Sequence, residues 1–244
     1  MEKRLKKKIK LVKFIVSNSP FSRREIASAC INNEIQINNK IVNSLAFLID
    51  PNKDSIKIKN QLVKPQKHFY YYKFYKPNNV ICSLSDPKNR PDLTKYISYA
   101  LPKEIFPIGR LDRKTTGLLL FTNDGDFANK ICHPKYKLKK TYHVWLDKKI
   151  TKALIKKLSS GIFLADGPVQ FSQIIVNTEK SLKISIHEGR NRIIRRSFSH
   201  LGFEVTNLKR ISIGPILLGK VKPGEFSALK NTELKALKNN ELLT

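Results

Sequence analysis

Apolar positions along this chain change period several times, and each change predicts an element. Ser22-Arg23-Arg24-Glu25 has the form of a capping box, with Ser22 as N-cap and Glu25 at the third helical position. Ile26, Ala29 and Cys30 follow at helical spacing. Ile35 and Ile37 then alternate with polar residues, Asn38-Asn39 marks a turn, and Ile41-Val42 resumes the apolar pattern, which predicts a hairpin. The stretch FYYYKFYK, beginning at Phe69, alternates and is rich in aromatics, as a half-buried strand requires. Lys76 to Asn79 predicts a turn before a second short strand, Val80 to Leu84. In PIGRLDRKTTGLLLFTNDG, Pro107 to Gly125, the pattern predicts a loop and a turn at Thr115-Thr116-Gly117. A strand over Leu118 to Phe121, a turn at Asn123-Asp124-Gly125 and a helix over Asp126 to His133 follow.

The same reading predicts a strand over Lys139 to Trp145 and an amphipathic helix over 150–160 that Gly161 ends. A turn at Asp166-Gly167-Pro168 and strands over 169–176 and 181–187 come next. Between Gly189 and Gly202 a helix places Ile194, Phe198 and Leu201 inward and Arg192, Arg195, Arg196 and Ser199 on another face. From Asn231 the chain predicts a short polar helix or an unstructured end. Short strands and helices without regular βα alternation indicate an α+β fold rather than a doubly wound parallel sheet.

Charge narrows the partners. The 244 residues contain 47 Lys and Arg against 19 Asp and Glu, a formal net charge of +28. Such a field favours a polyanion, nucleic acid first and an anionic membrane surface second. The chain shows no run approaching the roughly 20 apolar residues of a membrane helix, and LVKFIV, broken by Lys13, is too short for a secretory signal. Cys30, Cys82 and Cys132 are odd in number and widely spaced, which predicts reduced thiols in a cytoplasmic protein and no metal site. Residues 1–13 hold seven cations and one acid, a solvated tail or a phosphate-binding arm. No helix-turn-helix or zinc-finger signature favours DNA.

The candidate chemistry centres on Asp112, which lies in a loop between Arg110 and Arg113. Two flanking guanidinium groups favour its ionised form. Spacing alone leaves two readings: a solvated ion pair, or a carboxylate able to act as nucleophile or base. Tyr142 reads locally as a sheet aromatic, and the arginines after Gly189 as a basic helix face.

Longer motifs decide among these readings. GRLDRKTTGLLLFTNDGDFANKICHP resembles the signature of the RsuA/RluB family of RNA pseudouridine synthases. KFYKPNNVICSLSDPKNRPDL, IHEGRNRIIRRSFSHLGFEV and LKRISIGPILLGKVKPGEFSAL resemble its other motifs, in order. FSRREIASACINNEIQINNKIV resembles the small RNA-binding domain of the ribosomal protein S-four type, with Asn33 where relatives usually carry Gly. The organisation implied is a basic tail at 1–8, the S-four-type domain at 9–62, a linker at 63–68, a catalytic domain at 69–235 and a tail at 236–244. The catalytic domain is expected to hold a mixed, largely antiparallel sheet flanked by helices.

The resemblance also implies roles. Asp112 is the catalytic carboxylate, Tyr142 stacks on the target base and assists proton movement, and Arg195 pairs with Asp112. Arg110 holds the displaced nucleotide or its phosphate, Arg192 and Arg196 touch RNA phosphates, and Arg23 and Arg24 face RNA from the small domain. Lys76 and Pro77 are structural. Ile193 stands where relatives usually carry Gln. No cofactor or metal is implied. The expected enzyme is a cytoplasmic monomer acting on ribosomal RNA, with 23S rRNA favoured by LLLFTNDGDFANKICHP and EGRNR. A small-subunit (16S) rRNA enzyme and a non-catalytic ribosome-assembly factor are the alternatives.

Overall fold

The computed structural model describes residues 8–65, 68–84, 86–97, 101–102 and 105–239. The expected tails and linker therefore lie partly outside the described residues. The chain divides into two compact units. One is built from residues up to Tyr70, together with Pro102–Ile105 and Asn123–Gly125. The other is built from the rest of the chain beyond Tyr70.

The first unit runs β1 (Ile9–Lys10), α1 (Leu11–Asn18), α2 (Arg23–Ile31), β2 (Ile35–Ile37), β3 (Lys40–Ile41), β4 (Leu48–Ile49), β5 (Ile56–Ile58) and β6 (Gln61–Leu62). The capping box forms as expected: Glu25 N–H donates to Ser22 Oγ at 3.2 Å, and Ser22 N–H donates to Glu25 Oε2 at 2.7 Å. The hairpin turns at Asn38 and Asn39, both at positive φ (51° and 64°), as a two-residue hairpin turn demands. Asn33 takes φ 57°, the left-handed role usually given to Gly. The sequence reading missed α1. Its Leu11, Phe14 and Ile15 are buried at i, i+3, i+4. Asn18 Nδ2 and Ser19 Oγ donate back to the Phe14 and Ile15 carbonyls, which satisfies the end of the helix.

The second unit contains β7 (Tyr71–Lys76), β8 (Phe106–Ile108), β9 (Thr115–Thr122), α3 (Gly125–Cys132), β10 (Lys140–Leu146) and α4 (Lys152–Ser160). It continues with β11 (Ile162–Leu164), β12 (Gly167–Val169), β13 (Gln173–Thr178), β14 (Ser181–Ile186), α5 (Ile193–His200), β15 (Val205–Ile213), β16 (Ile216–Leu217), β17 (Phe226–Ala228) and α6 (Asn231–Asn239). Its main sheet has the order β13-β14-β10-β15-β9-β7-β17, with β16 beside β15 and β8 beside β9. Among the described residues only β15 and β9 of this sheet pair in parallel; every other neighbour is antiparallel. This is an α+β fold with a mixed sheet.

Alternation builds the core. Tyr142, Val144 and Leu146 of β10 are buried on one face with Leu182, Ile184 and Ile186 of β14. Leu154 and Leu158 of α4, with Ile193, Ile194 and Phe198 of α5, pack on that face. Full burial of one such Leu or Phe contributes roughly 1.5–3 kcal/mol. A further cluster joins Leu118 and Leu120 of β9 to Ile131 of α3 and Leu237 of α6. Leu237, placed in the tail by sequence, is fully buried, and Lys73 Nζ ties β7 to Glu233 of α6 at 2.8 Å.

Several expectations need correction. Gly117 lies inside β9 rather than in a turn, because the parallel pairing with β15 brings backbones together. A Cβ there would sit 2.3 Å from Arg210 O. Val80 to Leu84 is not a strand; Ile81 N–H and Leu93 N–H instead bond to Pro91 O and Ser83 O, closing a wide loop. Strand 169–176 is broken into β12 and β13, and α5 starts only at Ile193.

Candidate active site

Asp112 sits in the short loop that turns β8 into β9. Thr115 N–H donates to Asp112 O at 2.9 Å and closes the turn. Side chains from β7, the loop that follows it and α5 hold the loop main chain. Cys82 Sγ accepts from Leu111 N–H at 3.2 Å. Lys76 Nζ donates to Pro77 O at 2.8 Å and Arg113 O at 3.2 Å. Arg195 donates to Lys114 O at 3.1 Å and Val205 O at 2.6 Å. Lys76 is fully buried, and that burial pulls its ammonium down to about 8, against the opposing fields of Cys82 and Asp112. Burial likewise pushes the Cys82 thiol up. The carboxylate is thus carried on a loop whose carbonyls and amides are fixed from beneath.

The loop borders a cavity of about 950 Å³ within the second unit. Asp112, Arg110, Tyr142 and Arg192 line it together. Tyr142 is 8% exposed and projects from the buried face of β10. Arg192 holds φ 47°, a left-handed conformation that costs a non-glycine residue about 1 kcal/mol, and it caps α5 at the cavity wall. The remaining expected residues lie elsewhere. Arg195 stands behind the loop; both its Nη groups donate to main-chain carbonyls, and among the described residues no ion pair joins it to Asp112. This corrects the direct Asp112–Arg195 pair implied by the motif. Burial and then Arg192 depress the Arg195 guanidinium, and the field of Asp112 opposes them. Arg196 forms a two-pronged pair with Asp166 at 2.8 Å for each bond. Arg23 and Arg24 are exposed at the start of α2 in the other unit.

Comparison with known proteins meets this geometry. Residues 70–200 match the family model described as RNA pseudouridylate synthase. An RNA pseudouridine synthase of Aquifex aeolicus is 36% identical over 233 residues, 93% of this chain and 92% of its own. The chain belongs to the RsuA/RluB family of RNA pseudouridine synthases. The ribosomal large subunit pseudouridine synthase B of Bacillus subtilis is 35% identical over 232 residues, 93% of this chain and 94% of its own. A crystal structure of a pseudouridylate synthase superposes with a TM-score of 0.69 at 29% identity, covering 94% of this chain and 99% of the other.

The synthase is therefore an isomerase that acts on RNA, and its cavity contains more than the motif residues. Arg210 of β15 and Lys140 of β10 also line it. Sequence reasoning passed over both. A signal existed: Arg210 alternates with the apolar Leu208 on a strand, and a charge at an inward position is unusual. Arg190 was also missed. It binds the Glu188 carboxylate and the Asp166 carbonyl, and so fixes the cavity wall to the β11–β12 turn. Among the described residues no group of three or more His, Cys, Asp or Glu side chains is placed to hold a metal ion.

Proposed function

We propose that this synthase converts a specific uridine of 23S rRNA to pseudouridine, with Asp112 as the catalytic carboxylate. The observation that carries the reading is that Asp112, on a fixed loop, shares one cavity with the ring of Tyr142. Isomerisation breaks the N1–C1′ bond, turns the base and joins C5 to C1′; the C5 proton leaves and N1 gains one. The target must first leave its stack, at a cost of a few kcal/mol that phosphate contacts offset. Tyr142 then stacks on the uracil and assists proton movement at C5. Asp112 either attacks covalently or takes a proton from the sugar. Arg195 acts as a positioning residue, because it binds Lys114 O in the turn that carries Asp112.

The rim supplies the RNA contacts. Arg110 and Arg192 hold the displaced nucleotide, and Arg196 lies on the outer wall. The first unit serves as an S-four-type RNA-binding module, with Arg23 and Arg24 directed at RNA; their exposure at a capped helix start supports this role. The Bacillus subtilis relative, named for the large ribosomal subunit, supports 23S rRNA as the substrate.

Pseudouridine mapping of ribosomal RNA, by chemical adduct and primer extension with and without this protein, tests the proposal. Loss of one 23S pseudouridine on removal, restored by wild type, is expected. Loss from 16S rRNA instead would move the target, and an unchanged map in both subunits would contradict the rRNA assignment.

A further inference from the structure

The cavity beside Asp112 holds cations that no acid neutralises. Arg210 is 4% exposed; its Nε donates to Leu118 O at 2.7 Å, while its Nη2 is buried without a hydrogen-bond partner among the described residues. Arg210 is in register with Tyr142 across the β10–β15 pair, so the two side chains are neighbours on one sheet face. Lys140 lies two residues before Tyr142 on β10, about 7 Å along the strand. Its Nζ has a single weak bond, to Leu138 O at 3.3 Å. Burial and then the field of Arg210 hold the Lys140 ammonium below the ordinary lysine range. The acids lining the cavity are Asp112 and Glu188. Glu188 is paired with Arg190, and among the described residues neither acid forms an ion pair with Lys140 or Arg210.

Cations withdrawn from water are ordinarily paired, because an unpaired buried charge is costly. Here two remain without a counter-charge inside a cavity that receives a polyanion. We propose that Lys140 and Arg210 form a phosphate subsite for a phosphodiester flanking the flipped uridine. The inference rests on the proposed reading of this cavity as the site that takes the uridine. A uracil carbonyl could fill the hydrogen-bonding vacancy of Arg210 but would leave both positive charges unbalanced. A phosphodiester supplies oxygens and a negative charge together. Arg110 and Arg192 at the exposed rim meet phosphate in high dielectric; Lys140 and Arg210 meet it in a partly desolvated place, where the same charge is worth more. The contact exists only after flipping, so it favours the reactive complex over the encounter complex.

The test uses the full chain, a substrate RNA spanning the mapped uridine, and the same RNA with a neutral methylphosphonate at the phosphate on its 5′ or 3′ side. Single-turnover rates are measured at saturating RNA for wild type, Lys140→Met and Arg210→Lys. Neutralising one of the two phosphates should slow wild type about tenfold, the worth of one charge-assisted contact. The same neutralisation should slow Lys140→Met less than about twofold, because the partner is already gone. RNA affinity should stay within about threefold throughout. Melting by circular dichroism shows whether Arg210→Lys is folded; if it is not, Lys140→Met carries the comparison. Wild-type rates unaffected by either methylphosphonate, or equal losses in wild type and Lys140→Met, would overturn the subsite while leaving the function intact. Failure of wild type to convert the unmodified RNA would overturn the functional reading, and the subsite with it.

Discussion

The arginines of α2 and those around α5 come from similar sequence, runs of adjacent cations at a helix start, yet the fold uses them in opposite ways. Arg23 and Arg24 are exposed, and among the described residues they form no ion pair. Near α5, Arg195 is bound to the Lys114 and Val205 carbonyls and Arg196 to Asp166, while Arg190 joins Glu188 to the β11–β12 turn. A large positive charge is thus not a uniform RNA-binding surface. Part of it is internal framework that shapes the Asp112 loop, and part is left exposed to solvent. Framework cations should act on turnover and stability, and free cations on affinity and salt dependence.

Among the cations the largest effect should come from Arg195. Arg195→Met removes the bond to Lys114 O that ties the Asp112 turn, through α5, to Val205 O of β15 and should lower kcat about 100-fold, the scale of a small misplacement of a reacting group. RNA affinity should change less than about threefold, and Arg195→Lys should recover little, since one ammonium cannot copy the fork. An effect confined to KM would put Arg195 among the free cations and break the comparison.

Lys76 sharpens it through pH. In the folded protein its pKa is lowered to about 8 from the ordinary lysine value of 10.5. Between those values the unfolded chain keeps the proton and the folded chain does not, so this residue's contribution to stability grows as pH rises through that window. Below about 8 the full cost of the buried charge is present. Urea unfolding of wild type and Lys76→Met at pH 7.5 and 9.5 should show wild type gaining relative to the variant at the higher pH. A difference independent of pH would contradict the assignment.

Smaller effects are expected on the surface. Replacing Arg23 and Arg24 together by Ala should raise KM roughly three- to tenfold, leave kcat unchanged, and reduce the salt slope of RNA binding by about 1 to 2. The smallest effect belongs to Asp166→Asn, which releases Arg196 and removes a negative charge from the outer wall. RNA affinity should improve about twofold at low salt and not at high salt. Unchanged affinity at low salt would show that Arg196 contributes nothing to the RNA-facing field.

Local signals carried much of the architecture. The α2 capping box, the Asn38-Asn39 hairpin and the alternation of β10 depend on neighbours in sequence, and each formed where the pattern put it. Signals weakened by charge or brevity did not carry through. Lys13 obscured the apolar stripe of α1, and β8 has only three residues, one of them Pro107. Gly117 reads locally as a turn residue, and only the parallel approach of β15 explains its place inside β9. The candidate site divides in the same way. Asp112, Arg110, Tyr142 and Arg192 share a cavity, and motif position was enough to group them. The environment of Arg210 depends on Leu118, 92 residues away in sequence, and the Arg195–Lys114 contact spans 81 residues. Spacing along the chain holds no trace of such contacts.

Single-turnover conversion of the mapped RNA by Asp112→Asn, with RNA affinity measured in parallel, tests the central claim most directly. The substitution keeps the shape of the side chain and removes its charge, while the main-chain grips of Lys76, Cys82 and Arg195 do not involve the carboxylate. The account predicts no detectable pseudouridine and affinity within about threefold of wild type. Turnover at a wild-type rate would contradict Asp112 as the catalytic group.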